Sequence, residues 1–348
     1  MWLDQIRARL FGSKSPPAIL ADTLATGSIH APKVLILSGS KRNQNYYRDM
    51  ELARQTRAVL IAEGYDFEAH NWDVARLCRD LMGGAPDWVF VNYVHSYTAL
   101  LRGFDSINAP VFGFVGDHYN FTEKSPVALS KQAFFGGIPL AGMVSAYPHT
   151  NATVAHALGR PDLPFVDLPW AVDPAVFVDL RIKRRHDIAC MGALTEGKYP
   201  FRRQVRAWLE SQRVLKLYGK KRTKGPGGAQ HDGGAFNLAL NQCRSAFTCA
   251  SSMQYLLMKY LEIPASGTLM FAEGIRDLSA LGFVDGHHYL AVTPENFEER
   301  MIYYLKGDGR SEGERIARAG RDLVRSSHCW QHRIRLLLDT VAALLSPK

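Results

Sequence analysis

The residues with the most pointed chemistry lie in the run Lys259 to Glu273, KYLEIPASGTLMFAE. Lys259 and Glu262 stand three positions apart, so a helix sets them on one side. Ala265-Ser266-Gly267 then turns the chain into an apolar strand, Thr268 to Ala272. A charged pair beside a tight glycine turn at a sheet edge is a setting in which open α/β sheets take phosphorylated ligands. Lys259 would meet a phosphate or pair with Glu262, and the two roles are compatible.

Other chemistry-bearing residues also fall at the ends of apolar runs. Gly192 ends one run and opens a loop to Pro200 that carries Lys198, with Arg202 and Arg203 just beyond. Strand, glycine, basic loop and helix start together form a cradle for a diphosphate. Tyr218-Gly219 ends the next run, where it would flank a nucleobase or serve as a plain turn. Upstream, Asp117 and His118 follow Val111–Val115 behind Gly116, and His95 follows Trp88–Val94. Side chains at strand C-termini are placed to act as a general base toward a hydroxyl, so Asp117 and His95 are the catalytic candidates. Gly39-Ser40, with Lys41-Arg42, would approach a ligand from the first strand.

The elements that must position these residues form two βαβ series. The runs Val34–Leu37, Trp88–Val94, Val111–Val115, Gly142–Ala146 and Phe165–Leu168 are apolar on both faces, as buried parallel strands are. Tyr46–Glu63 and Val127–Phe135 between them read as helices. A proline-bearing and then basic stretch, Pro174 to Arg185, marks a boundary. The second series has strands at Ile188–Met191, Val214–Tyr218, Ala246–Ala250, Thr268–Ala272 and Tyr289–Val292. Its helices are Phe201–Glu210, Phe236–Asn241, Tyr255–Ile263, Pro294–Leu305 and Ser311–Arg325, with Thr293 as an N-cap. Lys220 to Gly234 is a glycine-rich basic loop, and Trp330 to Leu345 is a closing helix. The expected class is α/β, with two doubly wound Rossmann-like domains facing an interdomain cleft. Its parts are residues 1–30, an N-terminal amphipathic helix and linker; 31–175 and 176–328, the two domains; and 329–348, the last helix.

Composition narrows the class further. A 348-residue chain suits two domains, and 47% hydrophobic with 22% charged residues is ordinary for a globular protein. No apolar run reaches the length of a membrane span and no export signal is evident, so a cytoplasmic location is expected. The five cysteines are scattered without zinc spacing, which points to neither a metal site nor a disulfide framework; Cys190 and Cys249 read as buried thiols. The net charge of +9 favours an anionic partner: a nucleotide-sugar, a lipid surface or nucleic acid. Residues 1–14 place Trp2, Leu3, Ile6, Leu10 and Phe11 on one helical face, which would lie on a membrane or pack on the protein body.

Several motifs in order resemble one family. K-Y-L-E-I-P-A-S-G-T-L at 259–269, D-G-H-H-Y at 285–289 and E-R-I-A-R-A-G-R-D-L-V at 314–324 are similar to the group-1 glycosyltransferase C-terminal domain of the CgeB-like type, with His328 and Arg333 closing the pattern. L-P-W-A-V-D-P-A-V-F at 168–177, D-I-A-C-M-G-A at 187–193, Y-P-F-R at 199–202 and L-Y-G at 217–219 fit the same family.

The resemblance implies the GT-B architecture, with a nucleotide-diphosphate sugar held mainly by the second domain and no catalytic metal. Lys and Arg must then neutralise the leaving diphosphate. Glu262 matches the second glutamate of a Glu-(seven residues)-Glu motif and would bond the ribose hydroxyls. Lys259 stands where relatives often carry arginine. The first glutamate falls at position 254, where this chain has Gln254; the departure leaves its sugar contact and the stereochemistry open. The donor set is thus Gly192, Lys198, Arg202, Tyr218, Lys259, Glu262 and Gly267, with no metal. The expected activity is glycosyl transfer to a glycan or lipid-linked acceptor in bacterial cell-surface polysaccharide synthesis, in the cytoplasm or at the inner membrane face. The rivals are transfer to DNA or protein, and a degenerate protein that only binds glycans.

Overall fold

The structure, a computed structural model, describes residues 30–38, 45–61, 64–92, 96–219 and 233–346. These divide into two compact units. The first runs to residue 169 and takes up the chain again from 333, and the second is 170–332.

Unit 1 is one parallel sheet with its crossovers. In chain order the elements are β1 (Lys33–Leu37), α1 (Asn45–Gln55), β2 (Arg57–Ile61), α2 (Gly64–Ala69), α3 (Val74–Met82), β3 (Trp88–Val91), β4 (Val111–Val115), α4 (Tyr119–Thr122), α5 (Pro126–Gly136), β5 (Leu140–Ser145), α6 (Asn151–Ala157) and β6 (Phe165–Asp167). The strand order is β2-β1-β3-β4-β5-β6, with parallel pairing throughout. The central strands are apolar on both faces because helices or connecting segments cover both. Polar groups mark the reversal of strand order between β1 and β3. Ser38 Oγ donates to Asp49 Oδ2 at 2.5 Å and Asn92 Nδ2 to the same oxygen at 3.4 Å.

Unit 2 carries β7 (His186–Cys190), α7 (Pro200–Ser211), α8 (Gly233–Asn241), β8 (Cys243–Thr248), α9 (Lys259–Ala265), β9 (Leu269–Ala272), α10 (Arg276–Ala280), β10 (Leu290–Ala291), α11 (Phe297–Lys306) and α12 (Arg310–Ser327). The sheet order is β10-β9-β8-β7, all parallel. Leu217 adds a parallel bridge to Ile188 on the free side of β7, and the backbone of Tyr218 donates to the Ile188 carbonyl at 2.9 Å. Successive chain segments therefore lie on opposite sides of β7, and the order reverses at β7/β8. The last helix, α13 (Trp330–Leu345), begins in unit 2 and ends in unit 1.

The α/β class and parallel sheets agree with the sequence, but several elements do not. The helix expected over Tyr46–Glu63 stops at Gln55, and Arg57–Ile61 is instead β2, paired with β1. Its Ala-Val-Leu-Ile run is buried on both faces, which a helical stripe would not need. The strand expected at Val214–Tyr218 shrinks to the single bridge. The helix expected from Tyr255 begins at Lys259, because Ser251 to Gln254 form a tight turn closed by the Gln254 N–H on the Ser251 carbonyl at 2.8 Å. The helix placed at Pro294 begins at Phe297, so Thr293 is not its N-cap. Its hydroxyl accepts instead from the Glu295 N–H at 3.3 Å, in a turn ahead of the helix. The expectations for residues 1–29, Gly39-Ser40-Lys41-Arg42, His95 and most of the glycine-rich loop lie outside the described residues.

Candidate functional site

Ligands of open α/β sheets collect at strand C-termini where the order reverses, which in unit 2 is the exit of β7 and β8. Gly192 stands there with φ +124°. A Cβ on it would lie 3.1 Å from Arg202 Nη1 and 3.2 Å from Lys259 Cε. Arg202 comes from α7 and Lys259 from α9, so the fold brings three separately predicted residues together.

Arg202 is 1% exposed. Its Nη1 donates to the Ala193 carbonyl at 3.1 Å and its Nη2 to the Cys249 carbonyl at 3.2 Å. The guanidinium lies 4.2 Å from the Tyr199 ring centre. Its Nε is buried without a partner, and no carboxylate pairs with it among the described residues. A buried cation with only neutral partners is costly and is what an anionic ligand would complete. Lys259 adds a second positive charge. Burial holds its ammonium below the usual lysine range, Glu262 works against that shift and Arg202 adds to it. Its Nζ stands 5.4 Å from the Phe236 ring centre.

Glu262, one turn on, is 2% exposed. Burial pushes its carboxyl up to about 7, with the Lys259 charge opposing. No hydrogen bond or close ion pair to this carboxyl is made by the described residues. Buried ionisable groups with perturbed titration cluster at functional sites.

Sequence reasoning passed over Glu273, the residue that follows β9. Its Oε2 accepts from the Ala250 N–H at 3.0 Å, and the Gln254 side chain also hydrogen-bonds it. Burial raises this carboxyl, while those two donors hold it down. One peptide, Cys249–Ala250, thus bonds Arg202 through its carbonyl and Glu273 through its N–H. The signal was available: Glu273 ends an apolar run, as Asp117 and His95 do.

The remaining predicted residues sit elsewhere. Lys198 is exposed in the β7–α7 loop, and its carbonyl accepts from the Ser252 N–H at 2.9 Å. The Tyr218 ring packs edge-on against His186, the first residue of β7, at 5.2 Å. Gly267, φ +67°, lies between the end of α9 and the start of β9, opposite the Glu273 end, and its missing Cβ leaves room for Asp179. Arg184 ties down this turn by donating to the Ser266 and Gly267 carbonyls at 3.1 and 3.0 Å, a structural arrangement. In unit 1, Asp117 is half-buried beyond β4, within electrostatic reach of His118 and Lys131. His118 is held below its ordinary range first by burial and then by His149. His95 is outside the described residues.

All five cysteines are buried and free. Among the described residues no group of three or more His, Cys, Asp or Glu is placed to hold a metal ion, and no helix is long and apolar enough to cross a membrane.

This geometry agrees with what the chain is similar to. Residues 177–339, which include Arg202, Lys259, Glu262 and Glu273, match a family model described as "Glycosyl transferase-like". Anabaena HepE, solved in complex with UDP and glucose, is 11% identical with a TM-score of 0.62, over 90% of this chain and 100% of that one. Sucrose-phosphate synthase from Thermosynechococcus elongatus is 12% identical with a TM-score of 0.57, over 90% and 99%. A glycosyltransferase from Rickettsia africae is 10% identical with a TM-score of 0.55, over 92% and 100%. The chain has the GT-B fold. No curated protein matches it.

Proposed function

We propose that the protein transfers a sugar from a nucleotide-diphosphate donor to a glycan or lipid-linked acceptor, without a metal ion. The observation that carries this reading is the Arg202–Lys259–Glu262 cluster at the strand reversal of unit 2. A buried Arg202 and a half-buried Lys259, neither with a bonded carboxylate, suit a diphosphate, and a carboxyl with several lone-pair sites suits ribose hydroxyls. Arg202 and Lys259 supply the positive charge that stabilises the diphosphate as it leaves, with Lys198 at the loop edge. Gly192 keeps the exit of β7 free of a side chain, so backbone and ligand approach closely. Asp117 and His95 are the candidates for the base that takes the acceptor proton. The motifs at 259–269 and 314–324 favour the CgeB-like subgroup, and the charge of +9 favours an acceptor on an anionic surface.

Thermal shift with millimolar UDP, GDP, CDP and TDP tests the reading. One of them is expected to raise Tm with EDTA present, since a ligand at 100 Kd adds roughly 2.7 kcal/mol. Lys259→Met should abolish most of that rise, measured from the variant's own unliganded Tm, because a charged hydrogen bond is worth about 1.5–3 kcal/mol. No stabilisation by any of the four overturns the reading.

A further inference from the structure

Glu273 lies beyond the cluster that would hold the diphosphate and ribose, yet it is built into the same edge of the sheet. Arg202 Nη2 and Glu273 Oε2 bond opposite ends of one peptide, at 3.2 and 3.0 Å, so these atoms are at most about 8–9 Å apart. That is close enough for one small ligand to touch both. The carboxylate has about four lone-pair sites. The Ala250 N–H and the Gln254 amide use two, which leaves capacity for hydroxyl donors.

Gln254 is specialised for this contact. It is a non-glycine residue at φ +56°, a conformation that costs about 1–3 kcal/mol and persists where the surroundings fix it. The turn Ser251 to Gln254 is held by the Gln254 N–H on the Ser251 carbonyl and by the Met253 N–H on Ser251 Oγ at 3.2 Å. A glutamate at 254 would set two carboxylates against each other and drive one to take a proton. Glutamine donates instead, and keeps Glu273 as an acceptor.

Resting on the donor reading above, we propose that Glu273 is the residue that grips the hydroxyls of the transferred sugar, with Gln254 as its positioning partner. The nucleotide-diphosphate half of the donor then depends on Arg202, Lys259 and Glu262, and the sugar half on Glu273.

The test separates those halves. Calorimetric titration of the full chain with UDP and with a panel of UDP-hexoses gives the affinity added by the sugar. Should thermal shift select another base, the same pair in that base is used. In Glu273→Ala and Glu273→Gln, the Kd for UDP should stay within twofold of wild type. The Kd for the best UDP-hexose should rise at least tenfold. Gln254→Glu should lose the sugar increment too, and the exchange Q254E/E273Q should recover part of it, which a merely structural role of Glu273 would not produce. An unchanged sugar increment in both Glu273 variants, with UDP still bound, overturns the proposal and leaves the donor reading standing. A wild-type chain that binds no diphosphate overturns the donor reading, and this proposal with it. Should Glu273→Ala not fold, the nearly isosteric Glu273→Gln decides alone.

Discussion

Among the described residues each unit buries one arginine where its strand order reverses, and the two are completed in opposite ways. Arg48 of α1 is 0% exposed and forks onto Asp49 through Nε and Nη2 at 2.8 and 2.6 Å. Its guanidinium lies 3.8 Å from the ring centre of Phe114 and 4.9 Å from that of Phe90. Asp49 in turn accepts from Ser38 and Asn92, so its charge is answered within the protein, although Arg48 Nη1 is left over. Arg202 in unit 2 has two carbonyls and no carboxylate. Lys259, another cation, stands beside it at Gly192, and the Glu262 carboxyl next to Lys259 is pushed toward neutrality by burial. The same side chain at the same topological position is a closed structural pair in one unit and an open charge in the other. Topology says where a site can be, and counter-ions say whether it is one.

The sharpest way to break this comparison is to remove Asp49. Asp49→Ala strands a fully buried guanidinium, and losing one partner of a buried pair costs about 3–5 kcal/mol. Chemical denaturation of unit 1 should show a loss of that size, with diphosphate binding per folded molecule unchanged. A fall in diphosphate affinity with little loss of stability would mean that the unit 1 pair is also a ligand site, and the contrast would fail.

The opposite behaviour is expected of Glu262. The group is raised from 4.5 to about 7 in the folded protein, so its stabilising effect is complete below pH 4.5 and is lost as pH rises through 7. A shift of that size corresponds to about 3 kcal/mol at pH 8. Glu262→Gln does not titrate, so it should match wild type near pH 4.5 and exceed it by up to about 3 kcal/mol at pH 8. Lys259 loses its counter-charge in the variant and takes back part of that gain, which Glu262→Gln combined with Lys259→Met should restore. Diphosphate affinity falls in both. Denaturant midpoints from pH 4.5 to 8.5 give the answer, and a variant less stable than wild type at pH 8 would make Glu262 a structural residue.

What could be read from the sequence follows the same division. The central strands were legible because their apolar runs have no polar face to hide. β2 was missed because Arg57–Ile61 follows a true helix with only Thr56 between them, so one amphipathic stretch and one buried run merged into a single helix. Gly192, Arg202, Lys259 and Glu262 were legible as residue types at the ends of elements. That they meet was not, since Gly192 and Lys259 are 67 positions apart and only the pairing of β7 with β8 joins them. Tyr218 and Gly267 were chosen by the same local rule, but the Tyr218 ring turns back toward His186 and Gly267 sits at the N-terminal end of β9. Glu273 was legible only as a carboxyl ending an apolar run; its tie to Arg202 runs through the Cys249–Ala250 peptide, and backbone polar groups leave no mark in a sequence.

The finest contrast sets one glycine against another. Gly113 lies inside β4, where a Cβ would come within 2.6 Å of Met143 Sδ and 2.7 Å of Phe135 Cε1. Both neighbours belong to the unit 1 core, so Gly113→Ala should cost about 1–3 kcal/mol through overpacking and leave diphosphate binding alone. The neighbours of Gly192 are the tips of Arg202 and Lys259, which can give way, so alanine there costs chiefly the strain of φ +124°, roughly 1–2 kcal/mol. What those tips lose by moving is their aim. Gly192→Ala should therefore lower Tm by only a few degrees and weaken diphosphate binding about tenfold, equal to about 1.4 kcal/mol. Equal diphosphate affinity in the alanine variant and wild type would show that Arg202 and Lys259 need not stand where Gly192 lets them stand.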